Sequence, residues 1–159
     1  MTAQDVVFLF DVDNTLVDND RVQNDLRKHL ERESGPENRD RYWAIFEQLR
    51  TELGYADYLG ALQRYRLGAM NDTRLLTISA FLVDYPFANR LYPGSLDAIE
   101  HLRRWGLTVI LSDGDVVFQP RKVQRSGWLH NSFMILAGVF GWTISPATAD
   151  FSASRSGQI

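Results

Sequence analysis

The residues best suited to chemistry come early, in the run Phe10-Asp11-Val12-Asp13-Asn14-Thr15-Leu16. Two acids two residues apart stand directly after the unbroken apolar run Val6 to Phe10. Carboxylates at the end of a buried strand lose solvation and repel one another, so a function has to justify the placement. A divalent cation is the simplest compensator, because hard cations take oxygen ligands. A calcium loop starting at Asp11 puts Leu16 where glycine is required and Val22 where the bidentate glutamate belongs, so that template fails. Turn and helix-cap roles for Asp11 and Asp13 stay open on residue type alone. The second signal is Leu111-Ser112-Asp113-Gly114, at the end of another apolar run. A hydroxyl and a flexible glycine opening a helix suit an anion, whose oxygens the first backbone N–H groups can hold. Ser112 as a plain helix cap is the competing reading.

The elements that must position these residues are legible around them. Val6–Phe10 reads as a strand buried on both faces, as in a parallel sheet, and Thr108–Leu111 as its partner. A helix is expected after Pro93-Gly94, with Ser95 as N-cap, Leu96, Ile99 and Leu102 on one face and Gly106 as its stop. Helix, glycine, then apolar strand is half of a βαβ unit. A further helix continues over Pro120 to Ser126. Between the two strands the pattern is helical throughout: Arg21–Glu33, a break at Gly35-Pro36, Arg39–Leu53, Asp57–Leu67, and Thr73–Val83 capped by Asn71 or Asp72. That is too long for one crossover and predicts an all-helical insert over 19–89.

Composition bounds the rest. The 159 residues are 45% hydrophobic and 12% aromatic, enough for a packed core and incompatible with a disordered chain. A formal charge of −3 without basic blocks argues against nucleic acid as a partner. The absence of cysteine removes disulfides, thiolate zinc sites and a thiol nucleophile. The longest apolar-rich stretch, Phe133 to Ile144, is well short of the ~20 residues that cross a bilayer, so no membrane association is expected and the cytoplasm is the expected compartment. No GxSxG elbow, P-loop or GxGxxG motif is present.

Strand-DxDxT, helical insert, then Pro-Gly-helix-Gly-strand-Ser-Asp-Gly resembles the haloacid dehalogenase-like hydrolases, chiefly their phosphatase branch. The resemblance spans Val6 to about Gly127 and implies an α/β, Rossmann-like parallel core carrying a helical cap. It implies that Asp11 is the nucleophile, forming an aspartyl-phosphate, and that Asp13 is the general acid/base. Asp11 and the Asp13 main chain would hold Mg²⁺, which screens the phosphoryl charge. Thr15 is similar to the family's loop-bracing hydroxyl and Ser112 to its phosphate-contacting one, with Asp113 and Gly114 lending backbone N–H groups. The implied partner is a small phosphorylated substrate selected by the cap. A receiver-like phosphoacceptor domain also pairs an Asp with Mg²⁺, but the insert directly after the first strand speaks against it.

Two parts of that pattern are missing. The family's phosphate-neutralising lysine follows a later strand, whereas this chain has only Lys28, in the insert, and Lys122, ten residues beyond Ser112, which is the candidate left for that phosphate contact. No strand ending in paired acids follows, and Asp150 stands alone. After Ser126 only Asp150 and Arg155 are charged. The expected organisation is therefore 1–18 as first strand and nucleophile loop, 19–89 as cap, 90–127 as helix-strand-helix, and 128–159 as a divergent segment with a disordered tail. A silent relative that at most binds phosphate ligands weakly is the alternative to an active enzyme. His29, His101 and His130 show no metal spacing and read as surface or helix-face residues, and Asp18 and Asp20 as solvated acids at the cap entrance.

Overall fold

The computed structural model describes residues 6–68, 73–128, 133–138 and 141–146. The Asn71 and Asp72 caps, His130, Asp150 and the small, polar C-terminal run lie outside them.

Strand β1 (Val7–Phe10) is followed by four helices without an intervening strand: α1 (Asn19–Ser34), α2 (Pro36–Leu53), α3 (Tyr58–Arg66) and α4 (Arg74–Asp84). The chain returns through a 3-10 turn (Phe87–Arg90) to α5 (Ser95–Arg103), β2 (Leu107–Asp113) and α6 (Phe118–Arg125), then β3 (Phe133–Gly138) and β4 (Gly141–Pro146). The sheet runs β1-β2-β3-β4, with β1, β2 and β3 parallel and β4 antiparallel to β3. This is the expected α/β core with a helical insert. The segment read as divergent contributes two strands to the sheet, because the apolar run after Asn131 has the length of two strands rather than one helix.

Several local readings need correction. Helix α5 is capped by Gly94, not Ser95; the Ser95 hydroxyl instead donates to the Leu16 carbonyl at 3.2 Å, tying α5 to the loop after β1. Asp18 is the N-cap of α1, accepting from the Arg21 amide at 3.0 Å, rather than a solvated acid. Strand β1 is not buried on both faces. Phe10 packs against the main core, whereas Val7 and Leu9 are 54% and 59% exposed. Right-handed crossovers stepping one way across the sheet put α5 and α6 on the same face. Gly106 is needed for approach rather than as a helix stop: a Cβ there would collide with the Val6 carbonyl oxygen beside it.

The insert and core share one buried cluster. Rings run from Phe46 to Tyr58 at 4.7 Å, Tyr58 to Phe118 at 4.8 Å, and Phe118 to Phe87 at 5.6 Å, so helix α6 seats directly on α3. Polar ties flank this contact. Asp25 on α1 accepts from the Tyr85 hydroxyl at 2.5 Å and from Arg90 at 2.6 Å. Arg121 on α6 donates to the Val83 carbonyl at 3.1 Å, and both Arg121 and Arg125 pair with Asp84 at the end of α4. The last two pairs are solvated and contribute little each.

His29 is a helix-face residue of α1 but not a surface one: it is 5% exposed and stacks on Phe81 of α4 at 4.2 Å. Burial, assisted by the Arg32 charge, holds its pKa below the ordinary 6.5. The unfolded chain thus binds a proton there more readily than the folded one. The stabilisation is full above pH 6.5 and fades as pH falls through the lower folded value. Thermal unfolding should show Tm falling between pH 7 and pH 5, about 2–4 °C per kcal/mol lost. His29→Phe, which keeps the stack, should lessen that slope; an unchanged slope would exclude His29 as its source.

Candidate functional site

The loop after β1 is held by its own polar groups. Asn14 takes the left-handed conformation (φ 58°), which asparagine tolerates better than most residues. Its side-chain oxygen accepts from the Asn19 and Asp20 amides at 2.9 and 3.2 Å, and its amide donates to Asp20 at 3.0 Å. The loop is thereby fastened to the start of α1, with Asp20 engaged rather than merely solvated. Thr15 donates its hydroxyl to the Asp11 carboxylate at 2.8 Å, leaving Asp11 exposed at the end of the strand.

Asp13 is gripped from α6. The Lys122 ammonium donates to one carboxylate oxygen at 2.5 Å, and the Gln119 amide donates to the other at 3.0 Å. Residues three apart on a helix share a face, so α6 presents both donors together. Lys122 is fully buried, also donates to the Asn19 side chain at 3.3 Å, and lies 5.1 Å from the Phe118 ring. Burial pushes its pKa down, and Asp13, then Asp115 and Asp11, draw it back up. Asn19 in turn donates to the Tyr58 hydroxyl at 3.5 Å, joining the first and third helices of the insert to the acid. Burial raises the Tyr58 pKa to about 12, so that hydroxyl stays protonated.

The parallel register pairs Phe10 with Ile110, so Asp11–Asp13 and Ser112–Gly114 emerge at the same carboxyl-terminal edge, where ligands bind in such sheets. Ser112 is 2% exposed and donates to the Asp113 carbonyl at 3.3 Å rather than into the Asp11 cluster. It does not cap α6. The N-cap is Val117, and the Asp115 carboxylate two residues before it accepts from the Val117 and Phe118 amides at 2.8 and 2.7 Å, while burial raises the Asp115 pKa. Asp113 is exposed and Gly114 is buried, with a φ of 136° that L side chains rarely adopt.

Of the residues singled out from sequence, the structure thus brings Asp11, Asp13, Thr15 and Lys122 into one cluster and sets Ser112, Asp113 and Gly114 on the adjoining strand end. Asn14, Asn19 and Gln119 were missed. Asn14 carried a signal, since asparagine between two acids and a threonine is turn chemistry. Asn19 and Gln119 carried none, because their partners lie about a hundred residues away in sequence.

For Mg²⁺, the Asp11 carboxylate and Asp13 main-chain carbonyl are hard oxygen donors of the right kind. Among the described residues, no three His, Cys, Asp or Glu side chains gather as a metal cluster. The fit is that of a cation held by one or two protein groups together with water and substrate oxygens, which Mg²⁺ accepts.

A family model for haloacid dehalogenase-like hydrolases matches residues 6–145. A haloacid dehalogenase-like hydrolase from Burkholderia xenovorans is 64% identical, with a TM-score of 0.78 over 84% of this chain and 63% of that one. The chain thus spans under two thirds of that relative's length. At 19% identity, the HAD-hydrolase YfnB from Bacillus subtilis, solved bound to magnesium, covers 86% of this chain and 64% of its own, with a TM-score of 0.54. The L-2-haloacid dehalogenase from Xanthobacter autotrophicus, with chloropropionic acid covalently bound, is 20% identical, with a TM-score of 0.50 over 87% of this chain and 58% of that one. No curated protein matches. Among the described residues no helix is long and apolar enough to cross a membrane.

Proposed function

The chain belongs to the haloacid dehalogenase-like hydrolases, and from that membership we propose that it is a Mg²⁺-dependent phosphatase acting on a small phosphorylated metabolite. The observation that carries the reading is the pair of carboxylates at one strand end, Asp11 open and Asp13 held by two donors. A phosphate ester needs both an attacking carboxylate and a group to protonate its leaving alcohol. A halide leaves without a proton, so Asp13 favours phosphoryl transfer over dehalogenation.

In this reading the Asp11 carboxylate attacks phosphorus, forming an oxygen–phosphorus bond as the ester bond breaks, and Asp13 delivers a proton to the departing alkoxide. Asp13 then takes a proton from the water that attacks the aspartyl-phosphate, releasing phosphate and restoring Asp11. Thr15 holds the Asp11 rotamer through its 2.8 Å hydrogen bond. The Asp11 carboxylate and the Asp13 main-chain carbonyl would hold Mg²⁺, which would supply electrostatic screening of the phosphoryl oxygens. In this reading the backbone N–H groups of Asp113 and Gly114 on the adjoining strand end receive the phosphate, and the Ser112 hydroxyl must leave the Asp113 carbonyl to join them. Lys122 is committed to Asp13, so its part is to hold the acid rather than to reach the substrate. The insert, seated over α6 through Tyr58, selects the alcohol portion.

The second reading, a silent relative that binds phosphate ligands weakly, draws on the donor set: among the described residues no carboxylate trio gathers for a metal. Calorimetric titration with Mg²⁺ separates the two. An active site should bind at millimolar or better, and turnover of p-nitrophenyl phosphate should vanish with EDTA and return with excess Mg²⁺. Absence of turnover together with no heat of Mg²⁺ binding would favour the second reading, and metal-independent turnover would overturn both.

A further inference from the structure

We infer that Gln119 is a positioning residue for Asp13: its side-chain amide, from the first turn of α6, fixes where that carboxylate points. The inference rests on Asp13 being the proton donor of the proposed phosphatase.

Three features of Gln119 point the same way. It is 1% exposed, and its one recorded side-chain hydrogen bond is the 3.0 Å donation to Asp13. Its amide oxygen is buried and has no partner among the described residues. A methionine or leucine would fill the same space without desolvating an amide, so packing alone does not explain a glutamine here. The chain is also shaped around it. A Cβ on Gly114 would lie 2.5 Å from Gln119 Cγ and 2.9 Å from its amide nitrogen, so the loop after β2 passes over this side chain only because residue 114 is glycine.

The geometry divides the work between two donors. Lys122 neutralises and holds one Asp13 oxygen, and a single contact leaves the carboxylate free to swing about it. The second donor, on the other oxygen, removes that freedom. An acid that must meet a leaving oxygen at hydrogen-bond distance depends on such orientation. Because both donors ride on α6, whose Phe118 packs on Tyr58 of the insert, the helices that contact substrate and the acid share one support.

The test compares Gln119→Met, which keeps the volume, and Gln119→Glu, which keeps the shape and replaces the donor, against the unaltered chain. p-Nitrophenolate leaves with little protonation, whereas phenolate, with a phenol pKa of about 10, needs the acid. A positioning role predicts a loss of kcat/KM, which reports the step that expels the alcohol, about tenfold larger on phenyl phosphate than on p-nitrophenyl phosphate. Equal losses on both esters would overturn it. Scalar couplings of the Asp13 side chain, read by NMR, give a second measure independent of turnover. One rotamer in the unaltered chain and averaging in either variant supports the role, and an unchanged rotamer refutes it. If the unaltered chain hydrolyses neither ester, the phosphatase reading fails, and the rotamer populations alone decide the role of Gln119.

Discussion

Replacing Asp11 by asparagine should lower hydrolysis of p-nitrophenyl phosphate by about 10⁴-fold or more while leaving the far-ultraviolet circular dichroism unchanged. The amide is isosteric and still accepts the Thr15 hydrogen bond, so the loop has no reason to move. What it loses is the anionic oxygen that attacks phosphorus, and removal of a nucleophile costs the whole covalent route rather than a fraction of it. The carboxylate is also a proposed metal ligand, so Mg²⁺ binding measured by calorimetry should weaken in parallel. Turnover within tenfold of the parent would mean that Asp11 is not the attacking group.

The second large effect is on stability, and its sign depends on which partner is removed. Asp13→Ala strips a fully buried ammonium of its carboxylate. Breaking a buried pair from one side costs about 3–5 kcal/mol; since Asp13 is 24% exposed, we expect the low end, about 3 kcal/mol, and a Tm lower by about 6–12 °C. The converse change, Lys122→Met, removes a desolvated charge and leaves Asp13 partly in water. It should be neutral or stabilising by about 1–2 kcal/mol, although it discards one of the two donors that hold the acid. Urea unfolding of the two variants gives the comparison. Equal destabilisation would show that the ion pair contributes to stability as much from the lysine side as from the aspartate side.

The contrast between these residues shows which parts of the molecule sequence could reveal. Asp11 and Asp13 were legible because DxDxT follows an apolar strand, and the helical insert because its apolar residues recur at helical spacing over four segments. Lys122 was underrated. Its distance from Ser112 in sequence counted against it, but α6 starts beside the acid loop and turns the lysine inward, a consequence of where the helix begins rather than of residue order. Gln119 and Asn19 were invisible because a lone amide on a helix has no periodicity to betray its partner. The burial of β1 was misjudged for a related reason. Five apolar residues in a row cannot say whether the second face of a sheet is covered, and in the described residues Val7 and Leu9 are open to solvent. The two strands after Asn131 are not legible in a segment that reads only as divergent, because a short uncharged apolar run fits a helix, an inner strand such as β3 or an edge strand such as β4 equally well.

The ring chain from Phe46 through Tyr58 and Phe118 to Phe87 crosses the seam between helical insert and sheet without interruption. Neither side can therefore be excised as a module. Cutting out the helices would strand Phe118 and Lys122 in water, and keeping them alone would bare Tyr58.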